Sequence, residues 1–234
     1  MRIGFLSDVH GNELALDACL ERMKRLALER IVFLGDAVGY MPGELGVLER
    51  LEREGIDCQK GNHEAMLLGA HPCASAKEPV YRLDAARHRL MRAGRLASIA
   101  AWPESRSESI DGVRIWMLHG APADHVHGYV YPDTDITAYA ALPHEFVVLA
   151  NTHRPFVRTA ASVTVVNTGS VGLPRDRGDL ASFAVIDTTT RHAVIYRVRF
   201  DVESVIARYR TEVHDSVLAC LHREAPTVIG EVLT

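Results

Sequence analysis

The first part of the chain alternates short apolar runs with amphipathic stretches. The runs at 2–8, 30–36 and 57–63 predict three strands. Between them, 14–28 and 44–54 carry apolar residues at helical spacing, so each predicts an amphipathic helix. The resulting β-α-β-α-β order predicts parallel strands with helices packed against the sheet.

Helical spacing returns over 75–100. A helix there would turn Val80, Leu83, Leu90 and Met91 towards the same side. We therefore expect these four residues to form its buried face.

The second half changes to short strands with brief connections. Five apolar runs predict strands at 113–120, 146–153, 162–170, 182–188 and 192–200. Because no helical spacing separates them, we expect a second, largely β layer that faces the first. The tail at 202–223 is predicted to be helical. The irregular segment 121–142 is the candidate lid of one domain that spans 1–234.

Composition and charge limit the class of protein. The 234 residues are 47% hydrophobic and 24% charged, as in a soluble globular protein with a sizeable core. A net charge of −4 gives no basic field for general nucleic-acid or membrane binding. No apolar run approaches the roughly 18 residues that span a bilayer, and the N-terminus becomes acidic too early for a signal peptide. The scattered cysteines indicate reduced thiols of a cytoplasmic protein: Cys19, Cys58, Cys73 and Cys220.

Each of five predicted strands ends in residues that can bind a metal. In chain order they are Asp8 with His10, Asp36, Asn62 with His63, His119, and Asn151 with His153. Ligands bind at the carboxyl ends of strands in open α/β sheets. Carboxylate, imidazole and amide groups without thiolates favour Mn²⁺, Fe or Zn²⁺. The sequence therefore predicts a metal centre at this edge.

The spacing within the strand ends makes this expectation more specific. Residues i and i+2 of an extended chain point to the same side, so Asp8 and His10 are expected to share one ion. Asn151 and His153, at the last strand end, have the same spacing. The neighbours Asn62 and His63 point apart, which suits one for a metal and the other for a substrate.

Each motif has a structural alternative when it is taken alone. Gly35-Asp36 is a common type of turn, and Asn62 is a good helix N-cap residue. His119 alone is typical of a strand end. The ordered occurrence of all five strand ends favours the metal centre over these alternatives.

Together these motifs resemble those of the calcineurin-like metallophosphoesterases. The glycine-rich segment 167–176 is similar to that of the small prokaryotic branch related to phosphodiesterases and diadenosine tetraphosphatases. The resemblance implies a four-layer α/β/β/α sandwich, with two mixed sheets flanked by helices. It also implies two divalent metal ions, with Mn²⁺ the first candidate and Fe, Zn²⁺ or Ni²⁺ as alternatives.

The resemblance assigns roles by position. It implies the following metal ligands: Asp8, His10 and His153 for the first ion, Asp36 for both ions, and Asn62 and His119 for the second. His63 matches the histidine that contacts the phosphate and protonates the leaving oxygen. Arg154 and Arg175 are candidates to neutralise phosphate oxygens, and the alternative is that both are ordinary surface arginines.

One position departs from the family pattern. The family usually has Gly-His-x-His where this chain has Ala150-Asn151-Thr152-His153. Asn151 can bind a metal through its amide oxygen, but an amide is a poorer donor to transition metals than imidazole. We therefore expect a weaker second metal site.

The leading hypothesis is a metal-dependent phosphoesterase that hydrolyses phosphodiester or phosphoanhydride bonds in a phosphorylated small molecule or a nucleotide. The alternative is a catalytically weak or inactive binding or scaffold protein on the same fold, which Asn151 would favour. The sequence leaves the natural substrate and the oligomeric state open.

Overall fold

The computed structural model describes residues 1–71 and 74–233, so Cys73 lies outside the described part. Its strands are β1 Arg2–Leu6, β2 Arg30–Phe33, β3 Asp57–Cys58, β4 Ser105–Ile110, β5 Val113–Leu118, β6 Phe146–Leu149, β7 Phe156–Ala160, β8 Val163–Asn167, β9 Leu180–Asp187, β10 His192–Arg199 and β11 Glu231–Leu233. Its α-helices are α1 Glu13–Met23, α2 Glu44–Arg53, α3 Asn62–Leu67, α4 Glu78–Tyr81, α5 Leu83–Arg92, α6 Leu96–Ala100, α7 Val202–Tyr209 and α8 Asp215–Leu221. Short 3-10 helices lie at Lys24–Leu26, Ser75–Lys77 and Thr137–Ala141.

These strands form two mixed sheets. The first has the order β11-β10-β9-β1-β2-β3, and the predicted parallel pairing of β1, β2 and β3 is confirmed. The second has the order β4-β5-β6-β8-β7, with β5, β6 and β8 parallel and an antiparallel strand at each edge.

Alternating side chains build the layers between and outside the sheets. In β1, Ile3 and Phe5 face a core shared with Phe146 and Val148 of β6, while Leu6 faces the helices on the other side. The period of two arises because successive side chains of a strand point to opposite faces. The four-layer α/β/β/α sandwich is thereby confirmed. Its outermost layer over the second sheet is formed by the segment 121–142, whose helical part is a 3-10 helix.

The expectation that all late strands form the second layer is wrong for the last two. The runs at 182–188 and 192–200 overlap β9 and β10, and these two strands extend the first sheet instead. β9 pairs antiparallel with β1, so β1 becomes a central strand with a neighbour on each side. Both sheets accept apolar strands of this kind, and the pairing partner is therefore not encoded in the local pattern.

Two predicted helices are divided into shorter ones. The stretch 75–100 contains a 3-10 helix followed by α4, α5 and α6, because Arg82 and Gly94 take left-handed backbone conformations (φ 57° and 69°) that end a helix. The tail 202–223 divides into α7 and α8. Met91 was expected to be buried, but it is 57% exposed. It follows the buried Leu90 by about 100° of helical rotation and therefore faces solvent.

The segment 121–142 is packed rather than free along much of its length. Val130 and Ile136 are almost fully buried in the apolar cluster on the outer face of the second sheet. The lid role and the single-domain organisation stay predictions. Within the described residues, no helix is long and apolar enough to cross a membrane.

Candidate metal centre

The strand-end residues expected to bind metal converge at one buried place between the sheets. Three groups have side-chain ligand atoms within 4.8 Å of one another: Asp8, His10 and His153; Asp8, Asp36 and His119; and His10, Asp36 and His63. Asp8 belongs to two of these groups, as do His10 and Asp36. Such overlapping groups of carboxylates and imidazoles could hold a pair of adjacent divalent cations.

The loops that carry these residues are not extended. Left-handed backbone conformations occur at Asp8 (φ 52°), His10 (51°), Asp36 (64°), Asn151 (64°) and His153 (58°). The alternation argument for Asp8 and His10 was therefore wrong in its geometry, although both residues do face one centre. A left-handed residue other than glycine costs about 1–2 kcal/mol. Such strain persists where the surroundings fix the backbone, which is typical of functional sites.

Backbone hydrogen bonds between neighbouring loops hold this strained geometry. The Asp8 N–H donates to the Gly35 carbonyl and the His10 N–H to the Asp36 carbonyl, each at 2.9 Å. The loop after β1 is thus fixed against the loop after β2. The close approach needs glycine at position 61, because a Cβ there would overlap the Asp36 carboxylate and crowd His119.

Three histidines are oriented in the same way. Because a carbonyl oxygen can only accept, each ring carries a hydrogen on Nδ1 and donates it to the backbone: His10 to Val38 (3.0 Å), His119 to Leu34 (3.0 Å) and His153 to Leu173 (2.6 Å). The three Nε2 atoms therefore face the centre. This is the arrangement by which outer contacts fix metal-binding imidazoles.

The two oxygens of the Asp8 carboxylate have different surroundings. Its Oδ2 accepts a hydrogen bond from the Ser7 hydroxyl at 2.5 Å and one from the Asn151 N–H at 3.3 Å. Its Oδ1 is buried without a hydrogen-bond donor, and the His153 Nε2 lies 3.2 Å away. A buried carboxylate oxygen without a donor is costly unless a cation compensates it, so the donor set fits a bound divalent ion.

Asp36 lies between the two sides of the centre. Its Oδ2 is 3.4 Å from the His119 Nε2 and 3.7 Å from the His10 Nε2, while its Oδ1 accepts the His63 N–H at 2.9 Å. Asn62 completes this side, with its Oδ1 3.0 Å from the His119 Nε2. Asp36 could therefore contribute to both sides of a pair of bound ions.

Burial and mutual charge shift the pKa values of these groups. Burial alone would raise the pKa of Asp36, but His119 and His63 hold it well below its usual range. Burial alone would lower the pKa of His119, but Asp36 and Asp8 raise it to about 9. Burial and His63 lower the pKa of His10 well below its usual value. In the metal-free protein at neutral pH, His119 is therefore protonated on both ring nitrogens. A bound metal ion would replace the proton on Nε2.

His63 lies beside this centre in an aromatic pocket. Its ring stacks on Tyr40 at 5.0 Å between centroids and lies 4.6 Å from the ring of Tyr81. Its Nδ1 is buried without a hydrogen-bond partner. Burial and the charge of His153 lower the pKa of His63 to about 4, although Asp36 opposes the shift. The imidazole is therefore neutral at pH 7 in the metal-free protein.

Asn151 lies at the centre but also contacts the segment 121–142. Its side-chain Nδ2 donates to the Gly128 carbonyl at 2.9 Å, and its backbone N–H donates to Asp8. Its Oδ1 accepts no hydrogen bond from the described residues, which leaves that oxygen available to an ion. Asn151 therefore connects the candidate metal centre to the segment 121–142.

The two candidate arginines differ in their surroundings. Arg175 is half-buried and donates from Nη2 to the Tyr40 hydroxyl at 3.3 Å, next to the ring stack that contains His63. Arg154 is exposed and lines a cavity of about 360 Å³ together with Arg175. Within the described residues, neither guanidinium forms an ion pair with a carboxylate. Arg175 is therefore the better placed of the two to meet an anion near the centre.

Sequence reasoning missed the role of Glu64. The fully buried carboxylate accepts four backbone N–H bonds, from Asp36 (2.7 Å), Ala37 (2.8 Å), Val38 (3.3 Å) and Gly61 (2.8 Å). It thereby joins the loop after β2 to the start of α3. Its position directly after His63 was the available signal, but the contact with the β2 loop is not visible in the sequence.

A two-sheet sandwich with buried carboxylates and imidazoles at its strand ends agrees with the metallophosphoesterase class that the sequence motifs predicted. The chain belongs to the calcineurin-like phosphoesterase superfamily, whose domain matches residues 1–191. This match confirms the family suggested by the strand-end motifs.

Known relatives agree with the family and the fold. An uncharacterised protein of Methanocaldococcus jannaschii, MJ0912, is 25% identical over 219 residues, covering 86% of this chain and 88% of that protein. The hypothetical protein PH1004 of Pyrococcus horikoshii superposes with a TM-score of 0.82 at 21% identity, over 95% of this chain and 98% of that one. A metallophosphoesterase of Sphaerobacter thermophilus gives a TM-score of 0.76 at 24% identity, over 94% and 98%.

Proposed function

We propose that this chain is a metal-dependent hydrolase of phosphodiester or phosphoanhydride bonds in phosphorylated small molecules or nucleotides. The observation that carries the proposal is the cluster of three Nε2 atoms around two carboxylates, one of which has a buried oxygen without a donor. A structural cluster would have its buried polar atoms paired within the protein. The free cysteines among the described residues, Cys19, Cys58 and Cys220, favour a cytoplasmic location.

The proposed ligands follow the observed groups. Asp8, His10 and His153 would hold the first ion, Asp36 both ions, and Asn62 and His119 the second, with the Asn151 amide oxygen as its weak additional donor. Two divalent cations bound there would lower the pKa of a water molecule and neutralise charge on the phosphoryl group. Mn²⁺ is the first ion to test, and Fe, Zn²⁺ or Ni²⁺ would suit the same donors.

His63 is the proposed general acid for the leaving oxygen. The anionic phosphate of a bound substrate would favour the protonated imidazole, against the burial that lowers its pKa to about 4 in the free protein. Proton donation by a positioned histidine typically contributes about 10²–10⁴-fold to the rate. Activity is therefore expected to fall on the alkaline side as the imidazole loses its proton in the complex.

Arg175 is the proposed phosphate-binding residue. Its guanidinium is held beside Tyr40, and no carboxylate competes for it in the described part of the chain. Arg154, which is exposed on the same cavity, would contact only a longer substrate. Both assignments are tested by replacing each arginine with lysine, since lysine keeps the charge but loses the paired donors.

Metal titration tests the proposed activity. Chelator-treated protein is titrated with Mn²⁺ while the hydrolysis of bis(p-nitrophenyl) phosphate is followed. Activity should rise with metal and fall about 10²-fold or more in His63→Ala. His88→Ala is the matched control, because His88 is exposed on α5. Equal hydrolysis with and without metal would contradict the proposal.

A binding or scaffold protein on the same fold is the second candidate. It is favoured by Asn151, which replaces the histidine of the family pattern. A protein of this kind would bind metal without hydrolysing any phosphodiester. The same titration separates the two functions when the bound metal is counted alongside turnover.

A further inference from the structure

Two exposed tyrosines form a parallel pair on the segment 121–142. The rings of Tyr129 and Tyr131 lie 6.0 Å apart between centroids, with an interplanar angle of 9°. Their exposed fractions are 49% and 40%, which is high for large side chains with apolar rings. Exposed aromatic rings of this kind provide a flat surface on which another planar group can stack.

The backbone holds this pair in a fixed place. Val130, between the two tyrosines, is 2% exposed and packs in the apolar cluster of the second sheet. On the N-terminal side, the Gly128 carbonyl accepts the Asn151 amide. On the C-terminal side, the Tyr131 N–H donates to the Thr134 hydroxyl at 2.8 Å. Both rings therefore project into solvent from a backbone segment that is held in place, which lowers the entropy cost of binding a ligand.

Two arginines connect the tyrosine pair to the surroundings of the proposed general acid. His63 lies 4.6 Å from Tyr81. His63 also stacks on Tyr40, whose hydroxyl accepts a hydrogen bond from Arg175 at 3.3 Å. Arg175 lines one cavity together with Arg154, and Arg154 lines a second cavity together with Tyr131. The group that leaves in the proposed reaction lies on the His63 side of the phosphate. The tyrosine pair is therefore linked to the His63 side of the proposed site.

Positive charge adjoins the tyrosine pair. Burial raises the pKa of Tyr129, and the charges of Lys77 and Arg175 oppose that rise. Tyr131 also lines a cavity of about 490 Å³ together with Arg154. A flat aromatic surface between cations and a candidate phosphoesterase centre fits a ligand that combines a planar ring with phosphate.

We propose that Tyr129 and Tyr131 form a base-stacking subsite that selects substrates whose leaving group carries a planar heteroaromatic ring, as in a nucleotide. This inference rests on the proposed phosphoesterase function and adds the side chains that would determine specificity. The tyrosines bind and orient the ring, while His63 and the proposed metal ligands act on the phosphate.

Equilibrium binding tests the subsite without requiring turnover. The probes are AMP and ribose 5-phosphate, which carry the same phosphorylated sugar but differ in the base. Calorimetry with Mn²⁺-loaded protein should give a dissociation constant about fivefold or more lower for AMP, the lower end expected for stacking one base. Tyr129→Ala and Tyr131→Ala should each bring the ratio of the ribose 5-phosphate and AMP dissociation constants towards one. The phenylalanine variants should keep the preference for AMP.

Several outcomes would overturn the inference. Equal binding of the two probes to the unaltered protein would do so, as would alanine variants that leave the ratio unchanged. If an alanine variant unfolds, the leucine variant keeps the bulk without the aromatic ring and should show the same reduced ratio. Self-association that is lost in the variants, with an unchanged ratio, would assign the tyrosines to contact with a second copy.

The inference and the proposed function can fail separately. Hydrolysis of bis(p-nitrophenyl) phosphate with equal AMP and ribose 5-phosphate binding would contradict only the stacking subsite. Absence of any metal-dependent hydrolysis would contradict the phosphoesterase itself. Tighter binding of AMP than of ribose 5-phosphate by a protein without hydrolytic activity would indicate a nucleotide-binding scaffold. Such a protein would have the subsite but not the reaction.

Discussion

Replacing Glu64 tests how the candidate metal centre is held together. Each carboxylate oxygen accepts two backbone N–H groups: Oε2 those of Asp36 and Gly61, and Oε1 those of Ala37 and Val38. Glu64→Ala would leave all four donors without their acceptor in a fully buried place. A buried donor without a partner costs about 1–3 kcal/mol, so we expect a loss of about 4 kcal/mol or more.

The isosteric change is expected to be almost as harmful. In Glu64→Gln, either orientation of the amide places its NH₂ group against two backbone N–H donors. Two hydrogen bonds are lost and two pairs of donors face each other, so the expected cost is about 3 kcal/mol. A marginally stable protein has only about 5–15 kcal/mol in total. Shape alone therefore does not preserve the site.

Urea unfolding of the metal-free variants at pH 8 measures this cost. The pH matters because burial and Asp36 raise the pKa of Glu64 to about 7, so the carboxylate is ionised only above that value. The Mn²⁺ affinity should fall as well, because the loop that carries Asp36 loses its support. Glu52→Gln is the control, since that carboxylate is 69% exposed. A Glu64→Gln protein within about 1 kcal/mol of the unaltered one, with full Mn²⁺ affinity, would refute the reasoning.

Three further predictions concern the same centre. Asn151→His should raise Mn²⁺ affinity about tenfold or more by calorimetry, because imidazole is the better donor, and unchanged affinity would show that residue 151 does not control the second site. Metal-free protein should lose up to about 3 kcal/mol of unfolding free energy between pH 6.5 and 9, because the raised pKa of His119 stabilises the fold below 6.5 and this contribution is lost as pH rises through 9. Bound Mn²⁺ should remove that dependence, and a metal-free stability that is flat over this range would contradict it. Gly61→Ala should abolish Mn²⁺ binding, because its Cβ would overlap Asp36; a variant that binds normally would show that the loop can move.

The sequence predicted which side chains converge because the signal is local. An apolar strand that is followed closely by Asp8 or by His153 places that side chain near the edge of a sheet wherever the strand pairs. The assignment of β9 and β10 failed because either sheet could accept them. β9 is placed by its pairing with β1, which lies about 180 residues away in the chain, and β10 is placed by its antiparallel pairing with β9. The contacts of Glu64 were missed for the same reason, since three of its four donors belong to a distant loop.

Asn151 has a structural explanation that the family pattern alone does not provide. Its side-chain amide donates an N–H to the Gly128 carbonyl, while its oxygen accepts no hydrogen bond from the described residues. Residue 128 must be small, because a Cβ there would meet Ala121 and the Asp124 carbonyl at under 3.0 Å. The pair Asn151 and Gly128 therefore fixes the backbone that carries Tyr129, next to the metal centre. On this reasoning, Asn151→His gains affinity for metal but releases the tyrosine pair, so the preference for AMP over ribose 5-phosphate should decrease as the Mn²⁺ affinity increases.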